Sequence, residues 1–262
     1  MTFENTPQST LELYHDLVQS IVSALEARDP HTAEHSLRVG DMTERVCLLM
    51  GLPEDQSTDI HMAAHVHDIG KIALPDTVLH RDRPLTPHEH ELMRDHARVG
   101  AEIIGSCTSL KGIASIVLHH HEKWNGSGYP DGLAGEDMPL GARIVAVCDA
   151  IDAMMGKRLS KKALTHEACR EQIEQGIGTS FDPAIARFVL DHWDEIVGPV
   201  NFRDSETSEF SWNLVVNNRT GQDTANPSPA EKTGNTTLSI SRPLMCEVPK
   251  ALLAPKGQAA SS

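Results

Sequence analysis

Apolar positions recur along most of this chain at the three- and four-residue spacing of helices that bury one face. Leu11, Tyr14, Leu17, Val18, Ile21, Val22 and Leu25 mark a first amphipathic helix, which Asp29-Pro30 interrupts. A second should run from about Thr32 to Met50, with Gly51 just past its end and Pro53 beyond. Helical spacing resumes at Glu54 and passes through Ile60, Ala63, Ala64 and His67, which puts His67-Asp68 near a helix C-terminus. Thr86-Pro87-His88-Glu89 combines an N-cap, a proline at the first helical position and a capping-box glutamate. It predicts a helix to about Ile104 that carries His96. Further helices are expected over roughly Leu110–Glu122, Gly141–Met155, Thr165–Gln175 and Asp182–Val197. No strand pattern competes before residue 198, so the fold class is all-α, a helical bundle.

Two stretches break the pattern. Trp124–Leu140 is rich in Gly and Pro and reads as a long ordered loop, a feature more often functional than idle. Residues 200–262 are dominated by Ser, Thr, Asn, Gly, Pro and Ala and are expected to form a mostly disordered tail, too poor in apolar residues to offset chain entropy. The expected organisation is a helical N-terminal segment over 1–27, one helical domain over 28–198 and a tail over 199–262.

Composition narrows the function classes. A net charge of −14 argues against binding polymeric nucleic acid, although a local basic patch can still take a small anion. The five cysteines are scattered, with no C-x-x-C pair, as in a reducing compartment. Met1–Thr10 has no apolar signal-type core, and no apolar run approaches the ~20 residues that span a bilayer. The expected location is cytoplasmic.

The candidate chemistry is concentrated in His65-Val66-His67-Asp68-Ile69-Gly70-Lys71 and in His119-His120-His121-Glu122. An adjacent His-Asp pair offers one imidazole nitrogen and a carboxylate able to reach a second metal, and a later His-His pair supplies imidazoles for that ion. His31, His35, His96 and Asp149 add ligand-type side chains, and Asp149 lies in a helix apolar enough to demand a partner. Imidazole and carboxylate without cysteine suit iron, manganese, zinc or nickel.

These residues resemble the HD-GYP family within the wider HD phosphohydrolases. The likeness rests on His67-Asp68-Ile69-Gly70-Lys71, His120-His121-Glu122 and Gly126-Ser127-Gly128-Tyr129-Pro130. Flanking support comes from His31-Thr32-x-x-His35-Ser36-x-Arg38-Val39, Leu85-Thr86-Pro87-x-Glu89, the run from Ala142 to Asp149 and Gly178-Thr179-x-Phe181-Asp182-Pro183. The resemblance covers about residues 25–190. It implies an all-helical, metal-dependent phosphodiesterase that hydrolyses the bacterial second messenger cyclic di-GMP to pGpG, and in many family members on to GMP; the end product here stays open. Carried over by position, His35, His67, Asp68 and Asp149 would hold one divalent ion, iron or manganese. Asp68 would bridge to a second ion held by His96, His120 and His121, with a hydroxide between them as nucleophile. His31, one turn before His35, leaves room for a third ion. The catalytic set is His67, Asp68 and Lys71, with Lys71 near the phosphate. Lys71, Gly126, Tyr129, Arg143, Arg158 and Lys161 are the expected substrate contacts.

The chain departs from the family in two places. Lys157-Arg158-Leu159-Ser160-Lys161 stands where the family usually reads Asp-Arg-Pro-Tyr-Arg, and Asn125 replaces a frequent Asp. Two alternatives stay open: an HD phosphohydrolase of another cyclic dinucleotide or nucleotide, and, because of the lost Pro-Tyr, a weakly active sensor. The sensor would bind the messenger or dock a signalling protein through the Gly-Tyr-Pro loop. A homodimer is compatible with either.

Overall fold

Helix α1, Pro30–Leu49, is the longest element. It stops where Gly51 takes a φ of 65°, a left-handed value that lets Gly51 N–H and Leu52 N–H close back on the Leu48 and Cys47 carbonyls. The computed structural model describes residues 18, 20–25, 27–80, 83–156 and 163–198, with backbone only for 30–33. The described residues fall in one unit, Met1–Gly198. Residues 20–25 and 27–28 are helical, with Val18, Val22 and Leu25 buried; the rest of the expected N-terminal helix and the whole expected tail lie outside the described residues.

Helix α2, Glu54–Val66, packs along α1 and stops one residue short of His67, so the His-Asp pair lies at its C-terminal end as expected. A 3₁₀ turn over Ile69–Ala73 and the short α3, Asp76–Leu79, follow. The capping box at Thr86 forms in full and starts α4, Pro87–Arg94. The helix expected to continue to Ile104 instead breaks at Asp95, and His96–Gly105 forms a separate α5. At the break the His96 ring takes up the Met93 carbonyl, so the interruption is coupled to the placement of a candidate ligand.

Helix α6, Lys111–His119, is shorter than expected, and His120 and His121 sit in the turn beyond it. Helix α7, Leu140–Met155, is the central one: Ile144, Val145, Val147, Cys148 and Ile151 are all buried, and it packs on α1, α2 and α6. Helix α8, His166–Gly176, is capped by Thr165. Asp182 caps α9, Pro183–Asp191, through Ala184 and Ile185 N–H, and a break at His192 separates α10, Trp193–Val197. Among the described residues the only β-type pairings are two isolated bridges, so the fold is all-α.

Candidate metal centre

The His-Asp pair lies where α2 gives way to the 3₁₀ turn, with His67 and Asp68 both buried. From there the Asp68 carboxylate is shared. Its Oδ1 lies 3.3 Å from His96 Nε2, while its Oδ2 lies 3.4 Å from His67 Nε2 and 3.8 Å from His35 Nε2. Two donor groups result, His35-His67-Asp68 and Asp68-His96-His120-His121, each with its donor atoms within 4.8 Å of one another. Asp68 is the residue common to both.

The histidine orientations follow from helix ends. The last carbonyls of a helix lack partners in the helix ladder. Near the ends of α2, α4 and α6 these orphans are taken by ring N–H groups: His67 Nδ1 donates to Ala64 O, His96 Nδ1 to Met93 O and His120 Nδ1 to Val117 O. A carbonyl can only accept, so each Nδ1 carries the proton and a neutral ring offers Nε2 as a lone pair. Burial pushes the His96 and His120 imidazoles below their ordinary value, and it takes His121 down to about 4. Burial alone would raise the Asp68 carboxyl, but the Lys71 ammonium, at 2.5 Å, and the neighbouring imidazoles hold it well below the usual carboxylate range.

Lone pairs and an ionised carboxylate therefore converge. His96 Nε2 and His120 Nε2 face each other at 3.4 Å, and His67 Nε2 is buried with no hydrogen-bond partner. Such an arrangement calls for cations between the donors, and the donor set fits divalent metal ions.

His35 also meets Asp149, an expected ligand that lies in neither donor group. His35 Nε2 lies 3.1 Å from Asp149 Oδ1, on α7. Burial lowers the His35 pKa, but the bonds to Asp149 and Asp152 outweigh it and raise it to about 9. A ligand role for His35 therefore requires loss of the Nε2 proton on metal binding. His31 precedes His35 by one turn of α1, and its side chain lies outside the described residues.

On the other side His121 is partly exposed, and the Tyr129 ring lies over it at 4.9 Å and 32°. The Arg94 guanidinium also lies over the Tyr129 ring, 5.2 Å from its centroid. Gly128 puts Tyr129 there by close approach: a Cβ on it would stand 2.3 Å from Lys123 N and 2.4 Å from Glu122 Cα. Glu122, buried beneath the loop, accepts from Asp131 N–H at 2.7 Å and Gly132 N–H at 2.9 Å. Sequence reasoning gave Glu122 no role, although its place directly after the paired histidines was a signal. Glu122→Ala should lower stability by about 1–3 kcal/mol through two stranded N–H groups, with Glu122→Gln much milder. Chemical denaturation checks this, and equal losses for the two variants would count against it.

Other expected contacts fare differently. Gly126 has a φ of 78° and its N–H closes on Lys123 O, so it shapes the loop. Arg143 donates to Asp182 Oδ2 at 2.7 Å and stands 6.0 Å from the Trp124 ring centroid. It joins α7 to the N-terminus of α9, and its described contacts include none to the ligand cluster. Arg158 and Lys161 lie outside the described residues. Asp152 is the residue that sequence reasoning passed over: it is buried, one turn after Asp149, and bonds His35 Nδ1 at 2.6 Å.

The HD-domain family's sequence profile matches residues 19–185, most of the chain. This chain belongs to the HD-domain family. Within it, the His-Asp and Gly-Tyr-Pro signatures put the chain with the HD-GYP proteins. It is 39% identical over 201 residues to a protein named 3'3'-cGAMP-specific phosphodiesterase 2 from Vibrio cholerae, covering 75% of this chain and 38% of that one. It is 37% identical over 193 residues to a cyclic di-GMP phosphodiesterase of Thermotoga maritima, covering 71% and 52%. Among solved structures, a cyclic GMP-AMP specific phosphodiesterase of V. cholerae shares the fold with a TM-score of 0.56 at 18% identity, over 76% of this chain and 53% of that one. The chain thus spans between 38% and 52% of the length of these two curated relatives. HD-domain phosphohydrolases are metal-dependent, in keeping with the two donor clusters. No helix among the described residues is long and apolar enough to cross a membrane.

Proposed function

We propose that this chain is a metal-dependent phosphodiesterase that hydrolyses cyclic di-GMP to pGpG and on to GMP, with a catalytic domain over roughly residues 28–198. The observation that carries the reading is the sharing of one buried carboxylate, Asp68, by two imidazole clusters. His35, His67, Asp68 and Asp149 would hold one divalent ion, and His96, His120 and His121 would hold a second with Asp68; iron or manganese suits these donors. Ions so held would lower the pKa of water and neutralise charge on a phosphoryl group. The chain's own residues do the rest. Neutral His96 and His120 present lone pairs without a proton to remove, and their Nδ1 bonds fix the ring planes. Lys71, bonded to Asp68 yet 21% exposed, keeps a positive charge at the open edge of the cluster, where charge develops on a phosphate. Tyr129 offers a flat wall beside His121 against which a base or ribose can lie.

The relatives' names supply the substrate class, and they favour a second reading, hydrolysis of 3'3'-cGAMP. A cytoplasmic setting agrees with the four free cysteines among the described residues, three of them buried. The deciding experiment gives anaerobically purified, Mn²⁺-loaded protein each dinucleotide in turn and follows products by chromatography. The expected result is pGpG, then GMP, with cyclic di-GMP giving the larger kcat/KM. A larger value for 3'3'-cGAMP would install the second reading. Tight binding of both without turnover would make the chain a sensor and overturn the enzymatic one.

A further inference from the structure

Four histidines of the two clusters have their Nδ1 atoms accounted for, and one differs in kind. His67, His96 and His120 each find a carbonyl three residues back, at a helix end where that carbonyl is free of the ladder. His35 sits inside α1, where backbone carbonyls are consumed by the helix itself. Its Nδ1 is met instead by a carboxylate from another helix, Asp152 Oδ2 of α7, at 2.6 Å.

That carboxylate is itself held. Arg38 donates from Nε to Asp152 Oδ1 at 2.5 Å and from Nη2 to Asp152 Oδ2 at 3.0 Å, a two-pronged pair that fixes the plane of the carboxylate. His35 and Arg38 are three residues apart on α1, and Asp149 and Asp152 are three apart on α7, so each helix presents two groups on one face. Asp149 meets His35 at Nε2 and Asp152 meets it at Nδ1. Both acids are on the helix that packs against α1.

We propose that Asp152, clamped by Arg38, is the positioning residue of the His35 side of the centre: it holds the proton on Nδ1 and so keeps Nε2 as the ligand atom. The inference rests on the metal-binding reading above, but not on which dinucleotide is the substrate. A carboxylate behind a ligating imidazole fixes its tautomer and raises its basicity, and losing it costs about 10–100-fold in metal affinity. Only the cluster containing His35 depends on Asp152. In the other cluster His96 and His120 have their own backbone acceptors, and Asp68 is fixed by Lys71.

The test is a Mn²⁺ titration of the metal-stripped chain by calorimetry, with bound metal counted by elemental analysis. The wild type should bind two ions. In Asp152→Asn the amide NH₂ can donate to His35 and move its proton to Nε2, where it blocks ligation. One ion should then weaken by about 10–100-fold while the other keeps its affinity. Asp152→Glu should recover part of the loss, and Arg38→Gln should reproduce it in weaker form. A purely structural role would lower the thermal midpoint of the metal-free protein and weaken both ions together, or neither; either result overturns the proposal. Should Asp152→Asn fail to fold, Arg38→Gln carries the same test: an unchanged pair of affinities in a folded Arg38→Gln protein overturns it. A wild type that binds no Mn²⁺ would count against the metal-binding reading itself, and so the two failures are distinguishable.

Discussion

Asp68→Asn should leave a folded protein that has lost both its ions and its turnover. Asp68 is the one residue that contributes to both donor groups, with Oδ1 toward His96 and Oδ2 toward His67 and His35. An amide can offer one oxygen but not two, and it removes the negative charge that draws two cations to one place. The shape is conserved, so the scaffold should tolerate it. Hydrolysis should fall by about 10²–10³-fold or more, the scale of losing a preorganised charge stabiliser, with metal content below one ion per chain. His121→Ala should be less severe in metal content, because it belongs to one cluster only. Full turnover by Asp68→Asn at matched metal loading would refute the shared-carboxylate centre.

Why the ligand types were legible, and their orientations were not, can be traced residue by residue. His67, Asp68, His120 and His121 stand out in the sequence as adjacent pairs, and the helix pattern placed the first pair at a helix end, where the structure has it. What fixes His67, His96 and His120 is a bond from each ring to the carbonyl three residues back. That acceptor is free only because its helix stops there, and helix ends are the least readable part of a periodic pattern. The break at Asp95 illustrates this: nothing in Met93-Arg94-Asp95-His96 ends a helix by propensity alone, and the ring of His96 is part of what holds the turn. Asp152 was visible as a second acid one turn beyond Asp149, but choosing His35 and Arg38 as its partners requires knowing that α7 lies against α1. Arg143 shows the converse. The family resemblance made it an expected substrate contact, while its bond to Asp182, far along the chain, could not be read from the sequence.

Gly70→Ala should be the most damaging glycine-to-alanine change among the described residues, and its effect should appear at the metal centre. Gly70 does not need a left-handed backbone; it needs the absence of a Cβ. A Cβ there would stand 1.9 Å from His96 O and 2.6 Å from Gly100 N, both backbone atoms that no rotamer change can move. The 3₁₀ turn carrying Gly70 packs directly on α5, which carries His96. Relief must come by separating the two, and that displaces Asp68, at the start of the turn, from His96, now 3.3 Å away. Overpacking of this kind costs about 1–3 kcal/mol, or more where backbone must shift. Gly100→Ala is the internal control. Its nearest contacts would be Val117 Cγ1 at 3.1 Å, Gly70 N at 3.2 Å and Ile69 Cγ2 at 3.3 Å, tight but partly side chain, so a few tenths of an ångström suffice. The expected order of thermal midpoints is wild type, then Gly100→Ala, then Gly70→Ala. Mn²⁺ titration should show the ion on the His96 side weakened in Gly70→Ala well before the ion on the His35 side. A Gly70→Ala protein with a wild-type midpoint and two unperturbed ions would mean that the turn and α5 can slide apart without cost. In that case the spacing of Asp68 and His96 is set by the metal rather than by the packing of the chain.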